Sequence, residues 1–264
     1  MIGSVEVMKQ DQHEKKVVVY AGNKAVYEEM ITAAKSLLMH NKIDEVWFLA
    51  EHDREDFPYY IPDCIHVMNI KDQTIFPKNG PNMKTRFSYV VLMRAAFHKL
   101  FPDYHKILSL DIDTVVIGDI TGLWDIDISD YYFAACEEPD CRKGNKYEKK
   151  PEFYKNQYMY FNAGVAMYNL DKLRDGTGDE GIKLLNEKEW YSVEQDTYNL
   201  VCNGKILDIS SDYNSTTWCK PAKKPLIIHY AGTPTKEWNK VSLTTYFKLK
   251  TWDEVMDANS RLKG

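Results

Sequence analysis

Short apolar runs recur along the chain and predict the strands of a central sheet. The runs are rich in β-branched and aromatic residues, as in KVVVY at 16–20 and EVWFLA at 45–50, and several end at a turn residue. Strands are predicted at 16–20, 45–50, 66–70, 106–110, 132–136, 160–168 and 226–230. The chain therefore has enough strands for one large sheet.

Amphipathic segments between these strands predict helices that cover the sheet. After residue 23 the apolar positions recur at spacings of three and four, which is typical of a helix with one buried face. The same spacing occurs in 85–100, and shorter helices are predicted at 180–189 and 195–202. A strand, a helix and a strand in succession form a βαβ unit. We therefore predict an α/β fold with a Rossmann-like, mixed and mostly parallel sheet flanked by helices.

The 264 residues are interpreted as one domain, 1–264, because a chain of this length can bury a single large core. Residues 1–16 are expected to form a flexible tail and residues 240–264 a C-terminal helical segment. The charged segment 137–156 contains Pro139, Gly144 and Pro151, which indicates a long loop or lid.

The formal net charge of −5 argues against nucleic acid as a partner, since binding to phosphate backbones requires a basic face. No signal peptide is indicated at the start, and no apolar run is long enough for a transmembrane helix. Five scattered cysteines without CxxC spacing indicate reduced thiols. We expect a soluble cytoplasmic protein, and aromatic residues among the C-terminal lysines leave a peripheral membrane contact open.

Polar residues follow several predicted strands at the point where the strand ends. Asn23 follows the first strand, Asp111 and Asp113 follow 106–110, and His229 ends the last strand. In open α/β sheets the ligand lies outside the carboxyl ends of the strands, so these residues are expected to converge. Two carboxylates and one imidazole suit Mn²⁺ or a similar divalent ion such as Mg²⁺. A metal site is therefore one interpretation of the first Asp-x-Asp.

A second Asp-x-Asp, Asp125 and Asp127, lacks an apolar run on its amino side and is interpreted as a solvated turn. The first pair also has other interpretations. A strand followed by DIDTV resembles the nucleophile motif of haloacid-dehalogenase-type phosphatases, and a nucleotidyltransferase or a non-catalytic binding module could share the sheet and the acids.

Taken together, four motifs resemble glycosyltransferase family 8, a retaining group that includes glycogenin and bacterial lipopolysaccharide glucosyl- and galactosyltransferases. They occur in the family's order between residues 17 and 238, and consist of the segment 106–119, FNAGV at 161–165, EQDTYN at 194–199 and HYAG at 229–232 with Lys236 and Trp238.

The resemblance implies a GT-A fold, a nucleotide-sugar donor, usually a UDP-sugar, and transfer of a hexose to a saccharide or other hydroxyl acceptor. It implies a metal bound by Asp111, Asp113 and His229. The implied donor-binding residues are Asn23, Arg94, Ile112, Gly232 and Lys236. Catalytic roles fall to Glu194, Gln195 and Asp196, and contacts with sugar or acceptor to Asn162 and Glu137. After the first strand, Lys24 and Val26 stand where the family often has an acid and an aromatic that bind uracil.

Overall fold

A seven-stranded sheet forms the centre of the computed structural model, which describes residues 15–85, 87–139, 159–232 and 240–263. Its strand order is β3-β2-β1-β4-β7-β6-β8. These strands are β1 (Val17–Ala21), β2 (Glu45–Ala50), β3 (Ile65–Asn69), β4 (Lys106–Leu110), β6 (Phe133–Glu137), β7 (Phe161–Asn169) and β8 (Ile206–Asp208). Two further strands, β5 (Thr114–Val116) and β9 (Ile227–His229), form a small separate sheet.

The large sheet is mixed and mostly parallel, as predicted. Strand β1 pairs in parallel with β2 and β4, β2 with β3, and β6 with β8. Strand β7 is antiparallel to both of its neighbours, β4 and β6. The parallel strands thus end at one edge of the sheet, which brings together the residues that follow β1 and β4.

Helices cover both faces of the sheet. The α-helices are α1 (Tyr27–His40), α2 (Phe97–Leu100), α3 (Leu170–Leu173), α4 (Thr177–Glu187), α5 (Val193–Val201), α6 (Ser242–Leu249) and α7 (Trp252–Ser260). Short 3-10 helices add to these, and the longest of them, Tyr89–Ala96, runs directly into α2.

Alternation along β1 sends side chains into two separate cores. Val17 and Val19 point into the core that lies under the long 3-10 helix, α4 and α5. Val18 and Tyr20 point to the opposite face, where α1 packs on the sheet and α7 packs on α1. Strand β1 is therefore buried on both faces of the sheet, which is the arrangement expected for a parallel sheet.

Most predicted strands differ from the observed ones by a residue or two, and 45–50 and 106–110 coincide with β2 and β4. The helix predicted over 85–100 begins only at Tyr89, and its first part, Tyr89–Ala96, is a 3-10 helix that continues into α2. Residues three apart lie on the same face in both helix types, so an apolar stripe does not distinguish them. Within the described residues, none of the helices has the length and apolarity required to cross a membrane.

Candidate active site

Asp111 and Asp113 lie on a tight turn between the two sheets. The backbone N–H of Asp111 donates to the Gly164 carbonyl on β7 over 2.8 Å. The backbone N–H and the hydroxyl of Thr114 both donate to the Asp111 carbonyl, at 3.1 and 2.6 Å. These bonds fix the turn, so both carboxylates leave the end of β4 in defined positions.

His229 reaches the two acids because β9 pairs antiparallel with β5. Thr114 lies opposite His229 in this pairing, which places the imidazole beside Asp113. Nε2 of His229 is 3.2 Å from Oδ1 of Asp113 and 3.6 Å from Oδ2 of Asp111. Ligand atoms of the three residues lie within 4.8 Å of one another. The predicted convergence of Asp111, Asp113 and His229 is therefore present.

The charges within this cluster are coupled. Burial disfavours the charged imidazole of His229, but Asp113 and Asp111 together outweigh that effect and the pKa of His229 is raised. Burial also acts against the Asp113 carboxylate, but His229, a backbone hydrogen bond and Arg94 together outweigh it, so the pKa of Asp113 is lowered. A divalent cation fits this donor set, because two carboxylates and one imidazole nitrogen face a common point.

Gly164 provides the space that the His229 ring occupies. A Cβ atom on Gly164 would lie 2.0 Å from Cε1 of His229. No side chain can therefore replace the hydrogen of Gly164 without moving the ring. The glycine in the FNAGV segment thus has a direct steric role in the candidate metal site.

Arg94 joins this cluster to the start of α5. Its side chain, 9% exposed, forms ion pairs with Asp111 and Glu194. One guanidinium nitrogen also donates to the Ala163 carbonyl over 3.3 Å. Burial works against the charge of Arg94, but the two carboxylates more than compensate and raise its pKa. Arg94 is thus a fixed positive charge beneath the acids.

Glu194 is buried at the first turn of α5. Burial raises the pKa of Glu194 to about 7, although Arg94 opposes that effect. The preceding residue, Val193, has φ of 39°, a left-handed conformation that a β-branched residue rarely adopts. Such strain is often found at functional sites, where the surrounding structure maintains it.

Gln195, Glu138 and Asn162 form a polar group beside the metal cluster. Oε1 of Gln195 accepts from the Ala163 backbone N–H over 2.9 Å, and its Nε2 lies 3.4 Å from Oε2 of Glu138. Nδ2 of Asn162 donates to the same Glu138 oxygen over 3.3 Å. The predicted residues Gln195 and Asn162 thus meet an acid that the sequence did not single out.

Two cavities of about 410 Å³ each adjoin at the cluster, and Phe87, Val91, Arg94, Asp111 and Asp113 line both of them. The first, the Asn23 cavity, is otherwise lined by Ala21, Gly22, Asn23, Ala25, Val26, Glu29, Ser88, Val90 and Ile112. The second, the Gln195 cavity, is otherwise lined by Glu138, Asn162, Tyr191, Ser192, Val193, Glu194, Gln195, Trp218, His229, Ala231 and Gly232. The first cavity is the more apolar in character, and the second carries the polar group described above.

Some predicted site residues lie elsewhere. Glu137 lines a different cavity and forms an ion pair with Lys220 over 2.9 Å, while its neighbour Glu138 faces the Gln195 cavity. Asp196 is fully buried beneath the site, where it accepts from the Tyr160 hydroxyl over 2.6 Å. Neither Glu137 nor Asp196 is among the residues that line the two cavities.

Other predictions have simpler outcomes. Gly232 lines the Gln195 cavity with φ of 76°, a left-handed conformation that favours glycine. Lys236, Trp238 and most of the predicted loop 137–156 lie outside the described residues. Asp127 is exposed and accepts from the Ser129 backbone N–H over 2.9 Å, so the second Asp-x-Asp is a turn.

Sequence reasoning also missed Asn214, whose side chain is fully buried and lies 2.8 Å from Nδ1 of His229. Asn214 is far from the acids in sequence, and its only local signal is the polar turn SSDYN at 210–214. Glu138 was missed because EE at 137–138 offers two acids, and only the strand geometry decides which one faces the site.

The fold is of the GT-A type, and comparison with known proteins gives the family. Residues 17–242 match the model of glycosyl transferase family 8. The chain belongs to this family. This membership favours the glycosyltransferase interpretation over the phosphatase and nucleotidyltransferase alternatives.

Similar proteins cover the chain to different extents. A Haemophilus influenzae relative is 31% identical over 180 residues, covering 62% of this chain and 53% of that protein. Glycosyltransferase GlyE of Streptococcus pneumoniae is 26% identical over 258 residues, covering 88% of this chain and 59% of GlyE. The chain thus spans little more than half the length of these relatives.

Among solved structures, the galactosyltransferase LgtC in complex with donor and acceptor sugar analogues has a similar fold. The TM-score is 0.67 at 21% identity, and the match covers 94% of this chain and 96% of LgtC. The GlyE structure matches with a TM-score of 0.64 at 22% identity, covering 92% of this chain and 62% of GlyE.

Proposed function

We propose that the protein is a metal-dependent, retaining hexosyltransferase that uses a nucleotide-sugar donor and a hydroxyl acceptor. The observation that carries this proposal is the meeting of two cavities at the cluster of Asp111, Asp113 and His229. A nucleotide sugar has the same three-part layout, with a flat base at one end, a sugar at the other and a diphosphate between them.

The diphosphate is assigned to the junction of the cavities. Asp111, Asp113 and His229 would bind Mn²⁺ or Mg²⁺, and the ion when bound would neutralise the charge of the departing nucleoside diphosphate. Arg94 lies directly beneath and holds the Asp111 carboxylate through its ion pair. Lys236 remains a predicted contact of the diphosphate.

The nucleoside is assigned to the Asn23 cavity. Val26, Val90 and Val91 give this cavity apolar walls suited to a flat base, and Asn23 and Ser88 add polar atoms. Nδ2 of Asn23 lies 3.3 Å from the Ser88 hydroxyl, so the two side chains are held together at the cavity wall. A UDP-sugar is the donor that the family favours, and Lys24 and Val26 make the base the part of the proposal that most needs a direct test.

The transferred sugar is assigned to the Gln195 cavity. Gln195, Glu138 and Asn162 offer hydrogen-bond donors and acceptors to its hydroxyl groups, and Gln195 lies where the anomeric carbon is expected. Trp218 and Tyr191 line the outer part of the same cavity and give an apolar surface on which a saccharide acceptor can lie. Retention then follows from attack on the face that the diphosphate leaves, with the diphosphate taking the acceptor proton.

A panel of nucleotide sugars tests the donor. Melting temperatures are measured for each sugar nucleotide with Mn²⁺ and with a chelator, since a ligand stabilises the fold according to its concentration relative to its Kd. Donor hydrolysis is then measured for the best binder. We expect one donor to give the largest shift and to be hydrolysed only when the metal is present.

The two Asp-x-Asp pairs offer a matched control. Asp113→Asn is expected to abolish metal-dependent hydrolysis, whereas Asp127→Asn, in the exposed turn, is expected to leave it unchanged. Absence of turnover with every sugar nucleotide in the presence of Mn²⁺ would contradict the proposed function. Loss of activity in Asp127→Asn alone would show that the metal is bound by the second pair, Asp125 and Asp127.

A further inference from the structure

A chain of side-chain amides runs from the backbone of β7 to the imidazole of His229. Oδ1 of Asn162 accepts from the Gly164 backbone N–H over 3.0 Å and from Nδ2 of Asn214 over 2.9 Å. Oδ1 of Asn214 lies 2.8 Å from Nδ1 of His229. Asn214 is fully buried and Asn162 is 7% exposed, so these bonds are shielded from water.

The orientation of every group in this chain follows from its first bond. The Gly164 backbone N–H can only donate, so the atom of Asn162 that faces it is the oxygen. The Asn214 group that faces the same oxygen must then be the NH₂. The Asn214 oxygen is therefore left facing His229, and an oxygen there requires a proton on Nδ1.

The other end of Asn162 agrees with this assignment. Its Nδ2 donates to Oε2 of Glu138 over 3.3 Å. An ionised carboxylate has no hydrogen to donate and therefore acts only as an acceptor. A flip of the Asn162 amide would therefore place a donor against the Gly164 N–H and an acceptor against Glu138. Both contacts select the same orientation independently.

We propose that Asn162 and Asn214 are positioning residues that keep a proton on Nδ1 of His229, so that Nε2 presents its lone pair to the metal. The role of the metal in this proposal rests on the proposed function. Partners that bind the second nitrogen of a histidine ligand generally orient its ring and fix its tautomer. Here the Gly164 backbone N–H fixes the orientation of Asn162, Asn162 fixes that of Asn214, and the Asn214 oxygen fixes the tautomer of the histidine.

The proton on Nδ1 is tested first, on the protein without metal. Long-range ¹⁵N–¹H correlation spectra distinguish a protonated from an unprotonated ring nitrogen. At a pH high enough for the ring to be neutral, we expect Nδ1 of His229 to carry a proton and Nε2 to carry none in the wild type, and the Nδ1 proton to exchange slowly with solvent. In Asn214→Ala the exchange is expected to become fast. An unprotonated Nδ1 in the wild type would overturn the proposal, whatever the metal does.

Mn²⁺ affinity is tested second, by electron paramagnetic resonance titration. Asn214→Ala removes the acceptor of the Nδ1 proton and is expected to raise the Kd for Mn²⁺ by about 10–100-fold. Asn162→Ala replaces Asn214→Ala if the latter does not fold.

Asn41→Ala is the matched control. Asn41 is equally buried and bonds the Leu37 and Gly118 carbonyls and the Ile120 N–H, away from the site. Its loss is expected to lower the melting temperature without changing the Kd. If Asn214→Ala does the same, Asn214 is merely structural and the proposal fails. If the wild type binds no Mn²⁺ but carries the Nδ1 proton, the proposed function is contradicted, whereas the role of Asn162 and Asn214 in fixing that proton is supported.

Discussion

At the scale of single residues, the candidate site depends on Gly164, a residue without a side chain, as well as on its polar side chains. Gly164 lies where any Cβ would collide with the His229 ring, and its backbone also holds Asp111 and Asn162 in place. Gly164 thus leaves space for the His229 ring and forms backbone hydrogen bonds with two other residues of the candidate site.

Gly164→Ala is expected to weaken Mn²⁺ binding by about tenfold or more, because the added methyl displaces the imidazole from the acids. Calorimetric titration with Mn²⁺ measures this change. Gly178→Ala is a matched control, since a Cβ there would lie 2.6 Å from the ring of His98, a buried histidine outside the site. Equal losses of affinity in both variants would contradict the steric role of Gly164.

The neighbours Glu137 and Glu138 are expected to differ in function. Glu138→Ala removes the acceptor shared by Asn162 and Gln195, and turnover is expected to fall by about tenfold or more, the value of a hydrogen bond to a charged group. Glu137→Ala leaves Lys220 paired with Asp208 and is expected to change turnover by less than about threefold. Steady-state kinetics of both variants test this. A larger loss in Glu137→Ala would reverse the assignment.

The sequence allows the positions of site residues to be predicted where the signal is local, and gives little signal where their proximity depends on the tertiary fold. Asp111 and Asp113 are recognisable because two acids directly follow an apolar strand, and the motif order identified His229. Asn214 carries no such signal, since its importance arises only when β9 brings His229 beside it. Glu137, predicted to contact sugar or acceptor, lines a different cavity, and the sequence does not show the bulge between Ala135 and Glu137 in the pairing of β6 with β7.

At the scale of elements, Arg94 connects three of them. It lies on the long 3-10 helix and forms ion pairs with Asp111 after β4 and with Glu194 at the start of α5. Breaking such a buried pair by removing one partner typically costs about 3–5 kcal/mol. These elements are therefore expected to hold their relative positions while ligands enter and leave.

Glu194 gives this junction a pH dependence. Its pKa is raised in the folded state from 4.5 to about 7, so the folded protein binds the proton more tightly than the unfolded chain. The contribution of the protonated Glu194 side chain to the free energy of unfolding is fully present below pH 4.5 and is lost as the pH rises through 7. We expect the unfolding free energy of the wild type to fall over this range by about 3 kcal/mol relative to Glu194→Gln.

Urea denaturation at a series of pH values measures this difference. Because only the difference between the two proteins is compared, the titrations of His229 and Asp113 cancel to first order. Parallel pH profiles for wild type and Glu194→Gln would show that Glu194 has an ordinary pKa in the folded state.

Element prediction was accurate for the longer strands and mixed for the shortest ones. A run such as EVWFLA shows its pattern over six residues, whereas β5 and β8 have three residues each and were not predicted. The three-residue β9 was predicted, because it lies within a longer apolar run at 226–230. The helix over 85–100 had the right position but the wrong hydrogen-bonding pattern, because its stripe fits both helix types.

At the scale of the whole molecule, the two sheets meet at the cluster of Asp111, Asp113 and His229. Asp111 follows the large sheet, while Asp113 and His229 belong to the edges of the small one. A ligand that binds all three at once therefore binds only the fully assembled fold. Such a ligand stabilises the native state by mass action.

Mn²⁺ is therefore expected to raise the melting temperature, with a gain of about 2.7 kcal/mol when its free concentration is a hundred times the Kd. Differential scanning calorimetry with Mn²⁺ and with a chelator measures the effect. Asp111→Asn is the control and is expected to show no metal-dependent shift. A shift of the same size in Asp111→Asn would place the bound ion elsewhere on the molecule.

The pairing of β5 with β9 also orders events during synthesis of the chain. Asp111 and Asp113 leave the ribosome long before His229, and only the antiparallel pairing of two three-residue strands brings them together. Contacts between distant parts of a chain form slowly, because a long loop must close first. Until β9 docks, the two acids lack the imidazole, so on the proposed function tight binding of a cation is expected only once this last pairing has formed.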